Sequence, residues 1–62
     1  MYEQIIIDAT GVTDRAMVRR IEDYMRNAIF HSTLDWQTRR QLIRAARTAV
    51  AEIPLLDAML AA

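Results

Sequence analysis

Apolar and polar positions follow two different rhythms along this chain. Residues 2 to 9, Tyr-Glu-Gln-Ile-Ile-Ile-Asp-Ala, contain a β-branched run that predicts one short strand. Its alternation puts Ile5 and Ile7 on one face and Tyr2, Gln4, Ile6 and Asp8 on the other. Thr10 and the single glycine, Gly11, mark the turn out of that strand.

The rhythm then changes. Met17, Val18, Ile21, Tyr24, Met25, Ala28 and Ile29 recur at three- and four-residue steps, which predicts an amphipathic helix over about 14–30. Thr13 is placed as its N-cap, Asp14 lies at the positive helix end, and Val12 and Met17 are spaced as a hydrophobic staple. Arg15, Arg19, Arg20, Glu22, Asp23 and Arg26 form the outer face, with Glu22 and Arg26 in the favourable i,i+4 order.

The pattern breaks at His31-Ser32-Thr33-Leu34-Asp35, where Ser32 with Asp35, or Asp35 alone, can cap a second helix over about 35–53. Its apolar stripe runs through Trp36, Ile43, Ala46, Val50 and Ile53, with Leu42 and Ala49 beside it. Pro54 is expected to end or kink that helix, leaving Leu55, Leu56, Met59 and Leu60 in a short apolar helix over about 55–61. The expected fold is mainly α within one small domain, 1–62. A short N-terminal β-strand precedes an antiparallel two-helix hairpin and a short apolar C-terminal helix.

Sixty-two residues bury only roughly 60% of the surface that the unfolded chain exposes, so a core of this size needs reinforcement. There is no cysteine, which rules out disulfides and thiolate zinc sites, and the one histidine, His31, belongs to no ligand pattern. No metal or cofactor is expected. Homo-oligomerisation is the remaining way to complete the fold. A lone strand leaves both its edges unpaired, and a second copy can satisfy one of them. The expected interface consists of Ile5, Ile6 and Ile7 from the strand with Leu55, Leu56, Met59 and Leu60 from the tail.

Charge adds little direction at first sight. Eight acidic residues balance eight basic ones, all arginine, so no global field draws the chain to nucleic acid or anionic lipid. Arg40, Arg44 and Arg47 nevertheless lie on one helical stripe with Arg39 beside it, a spacing able to contact phosphates, although a solvated face is the commoner fate of such residues. His31, Ser32 and Asp35 are too close in sequence to converge as nucleophile, base and orienting group, so no enzyme is expected. No apolar run approaches the ~18 residues of a membrane span and no basic segment precedes Ile5-Ile6-Ile7, which points to the cytoplasm. Trp36 and Tyr24 read as core aromatics.

A strand followed by two helices resembles the ribbon-helix-helix repressors in element order over the first 53 residues. That resemblance implies DNA reading by paired strands. The outward residues here are Gln4, Ile6 and Asp8, or Glu3 with Ile5 and Ile7, which suit the major groove badly. The glycine usual between the helices of that family is missing at 31–34. The segments Asp8-Ala9-Thr10-Gly11-Val12-Thr13-Asp14-Arg15 and His31-Ser32-Thr33-Leu34-Asp35-Trp36-Gln37-Thr38 resemble short orphan proteins of actinobacterial phages and prophages. This implies a phage setting, a place in the host cytoplasm and a host protein as a partner, with no activity assigned. A non-enzymatic interaction or oligomerisation module is the expected function, and a small DNA-binding regulator is the alternative.

Overall fold

The computed structural model describes residues 2–30 and 38–62, and every described element is helical. Helix α1 spans Glu3–Thr10 and α2 spans Arg15–Tyr24, which runs on into a π-helical turn, Met25–Ile29; α3 spans Arg39–Ala61. At 1.5 Å per residue, α3 is about 34 Å long, close to the 36 Å longest dimension of the molecule. It is the spine against which the other helices lie.

The expected strand at 2–9 is a helix instead. Its β-branched run favours a strand locally, but Tyr2, Ile5, Ile6 and Ala9 also fall at i, i+3, i+4 and i+7, one face of a helix. Packing against α2 and α3 decides between the two periods. Ile6, expected on the outward face of a strand, is 0% exposed, whereas Ile5 and Ile7 are half-buried. Local bonds agree with this register. The Gln4 amide donates to Asp8 Oδ1 one turn on (2.9 Å), and the Thr10 hydroxyl donates to the Ile6 carbonyl (2.7 Å). Gly11 takes φ +76° and donates its N–H to the Ile7 carbonyl, making it the left-handed stop of a helix and not a turn out of a strand.

Asp14, not Thr13, caps α2: its carboxylate accepts from the Ala16 amide at 3.3 Å. Val18, Ile21 and Met25 are buried as the period requires, and Glu22 pairs with Arg26 at 3.0 Å. The Thr38 hydroxyl accepts from the Gln41 amide (3.1 Å) and starts α3. The expected caps Ser32 and Asp35, together with His31 and Trp36, lie outside the described residues.

Pro54 does not separate a second helix from a third; α3 passes through it to Ala61. The proline removes one backbone bond from a helix of 23 residues and sits at an exposed position. The buried stripe of α3 is Leu42, Ala45, Ala46, Ala49 and Ile53, rotated from the expected Ile43 and Val50, both of which are only half-buried. Three alanines on this stripe allow close approach of α1. Ile6, Val18, Ile21, Met25, Leu42 and Ile53 close the core around them.

Candidate functional site

Two long side-chain bridges pin α2 antiparallel to α3. The Arg20 guanidinium donates to both carboxylate oxygens of Asp57, one of them at 2.9 Å, and the Tyr24 hydroxyl donates to Glu52 Oε1 at 2.8 Å. The hydrogen bond from Arg20, helped by its charge, holds the Asp57 carboxyl below the ordinary carboxylate range, and the same bond raises Arg20. Tyr24 is raised mainly because its proton is engaged by Glu52. These polar groups tie helices together, and among the described residues no cluster of His, Asp and Glu is placed to hold a metal ion.

Beyond the bridges, the apolar stripe of α3 runs out of cover. Leu42, Ala46, Ala49, Ile53, Leu56 and Leu60 succeed one another at alternating steps of four and three, the spacing of a helix-packing seam. Leu42 to Ile53 are 0–4% exposed, whereas Leu56 is 38% and Leu60 77% exposed. Leu55 and Met59, at 67% and 76%, flank them. All four tail residues named from the sequence therefore sit together on the last turns of one helix. The isoleucines expected to join them do not: Ile6 belongs to the core of the single chain, and Ile5 and Ile7 pack against that core.

An open groove leads from this end along the junction of α2 and α3, lined by Arg20, Asp23, Tyr24, Asn27, Ala28, Ile53 and Leu56. Ala28 was expected within the apolar stripe; it is exposed and forms part of the groove wall. Groove and uncovered seam share Leu56 and form one continuous surface.

The arginine stripe occupies the opposite side of α3. Arg40, Arg44 and Arg47 line a second open depression with Ile43, Thr48 and Ala51, and Glu52 puts one carboxylate at its edge. The Arg47 guanidinium donates through Nε to the Ala9 carbonyl at 3.4 Å, setting a cation at the negative end of α1. Arg40 and Arg44 are exposed and, among the described residues, have no ion pair. Between Asp35 and Glu52 the sequence has four arginines and no acid, so a neutral chain still has a locally basic face. With the N-terminal segment helical, the element order that resembled ribbon-helix-helix repressors is not present among the described residues.

In comparisons with protein-family models, curated proteins and solved structures, nothing matches this chain. No described helix is long and apolar enough to cross a membrane.

Proposed function

We propose that this chain is a non-enzymatic interaction module whose docking face is the C-terminal end of α3. The observation that supports the reading is the uncovered continuation of the buried seam at Leu56 and Leu60, with Leu55 and Met59 beside it. Large apolar groups gathered at one place on a chain this small mark a contact surface more often than an accident of folding. The exposed bridges Arg20–Asp57 and Tyr24–Glu52 tie α3 to α2 beside this face. The resemblance of the two quoted segments to short phage proteins supports a phage setting in a host cytoplasm, with a host protein as a further partner. The DNA-binding alternative retains only the Arg40 and Arg44 pair, and a loss of retention on DNA as salt rises is its test.

Replacing Leu56, Met59 and Leu60 together by glutamine tests the docking face. The cooperative melt is expected to survive, because the core of Ile6, Ile21, Met25 and Ile53 is untouched, while light scattering records the loss of association. Loss of the melt would place these side chains in the fold itself and end the reading.

A further inference from the structure

We infer that the occupant of this face is a second copy of the chain. In this arrangement the end of each α3 lies antiparallel in the groove of the other copy, about a two-fold axis near Leu56. The inference rests on the docking reading above and adds the identity of the partner.

Three features point to self-pairing. The surface contains both halves of a contact: a ridge made by Met59 and Leu60, and a groove whose wall is Asn27, Ala28 and Leu56. Their lengths are close, since the eight residues from Pro54 to Ala61 and the nine from Arg20 to Ala28 span about 12 Å and about 13 Å of helix. A two-fold operation brings each ridge to the other groove and closes the assembly at two copies, with no open end for further growth. Charge permits it as well. From Pro54 to Ala61 the only ionisable side chain is Asp57, and Arg20 of the same chain already pairs with it. The ridges therefore bring no unpaired charge to the contact, and Asp23 is the one charge of the groove lining outside that pair, whereas the Arg40 and Arg44 side of α3 would set two unpaired arginines of each copy against those of the other. The area fits a weak dimer, because Leu56, Met59 and Leu60 with the groove of each copy amount to somewhat under about 1,000 Å² in total, the low end for specific interfaces. Ile53 and Leu56 then continue into a four-helix arrangement of α2 and α3 from both copies.

The absence of native cysteine makes a cross-linking test direct. Ala28→Cys and Met59→Cys chains are mixed and treated with a short bismaleimide, with Ala51→Cys on the arginine side as the control. The expected product is the 28–59 heterodimer in excess of either homodimer, with the control uncoupled. Light scattering of the wild-type chain at rising concentration should show a monomer–dimer equilibrium. Ala28→Arg, a change at an exposed position, should weaken it by about tenfold or more at unchanged helix content, as charge buried without a partner does. A wild-type chain that stays monomeric at ~0.5 mM, a concentration at which a dimer of micromolar dissociation constant is almost fully formed, overturns the second copy but leaves the face free for a different protein. A dimer that survives both Ala28→Arg and the glutamine triple variant, without 28–59 coupling, overturns the inference and the docking reading together.

Discussion

Replacing Ile6 by alanine strips back to Cβ a side chain that is 0% exposed and packed among Val18, Ile21, Met25 and the alanines of α3. Such a change loses the transfer free energy of the removed groups and leaves a partly collapsed cavity, together about 2–5 kcal/mol. Alanine's better helix propensity returns a few tenths. The whole fold of 62 residues is stabilised by roughly 3–9 kcal/mol, so a loss of about 3 kcal/mol is a large fraction of it. At about 4–8 °C per kcal/mol for a domain of this size, Tm falls by about 12–24 °C. Ile5→Ala and Ile7→Ala remove groups that are already half in water and cost about 1 kcal/mol each. The order is what discriminates. A helix makes Ile6 the costly position, while an alternating strand with Ile5 and Ile7 inward makes Ile6 the cheap one. Far-UV circular dichroism melts of the three variants at one fixed concentration measure it. A Tm for Ile6→Ala within about 3 °C of wild type, or above that of Ile5→Ala, refutes the helical N-terminus and the core built on it.

Gly11→Ala meets open space but must hold φ +76°, so it is expected to lower stability by about 1–2 kcal/mol from backbone strain alone; an unchanged denaturation midpoint would deny the left-handed cap. The Arg20 bond depresses Asp57 below its ordinary 3.8, so this carboxylate's stabilisation is present above the unfolded value and is lost as pH falls through the folded one. Asp57→Asn should therefore flatten the acid limb of the stability profile, and identical acid limbs in variant and wild type would remove the bridge from the account.

The two faces of α3 were open to sequence reasoning to different degrees. Leu55, Leu56, Met59 and Leu60 stand out as four large apolar groups within six residues, and they are the large apolar groups that the structure leaves exposed among the described residues. The N-terminal eight residues were misread because Ile5-Ile6-Ile7 satisfies strand propensity and half of a helical stripe at once, and only tertiary contact separates the two. A helical signal was nonetheless present, in Gln4 and Asp8 at i,i+4 and in a glycine two residues after Ala9, the last apolar residue of the stripe. The start of α3 had a similar sign in Thr38-x-x-Gln41, the spacing of a capping box. Ala28 could not be placed from a period of 3.6, because the turn that carries it does not have that period.

That turn links core and groove. An α-turn advances about 100° per residue and a π-turn roughly 80°. Measured from buried Met25, α geometry would send Phe30 about 140° away from the core. The observed π-turn, closed by the Phe30 amide on the Met25 carbonyl at 2.8 Å, brings Phe30 back to about 40° and swings Ala28 outward to about 120° on the groove side. Ile29 and Phe30 thus both pack on the core while Ala28 joins the groove wall. Deleting the exposed Asn27 should convert the turn to an α-turn. Ile29 and Phe30 then fall about 60° and 40° either side of Met25, still facing the core, and Ala28 shifts into the place that Asn27 held. The fold is therefore expected to keep its stability to within about 1 kcal/mol, since ordinary i→i+4 bonds replace the wider ones. Self-association should weaken, because the groove wall has been displaced while the ridge of Met59 and Leu60 is intact. Urea denaturation and light scattering on the same samples separate the two effects. A loss of more than about 2 kcal/mol, in the range of core disruption, would show that the π-turn is required for packing. An unaltered dimer would show that Ala28 takes no part in the contact.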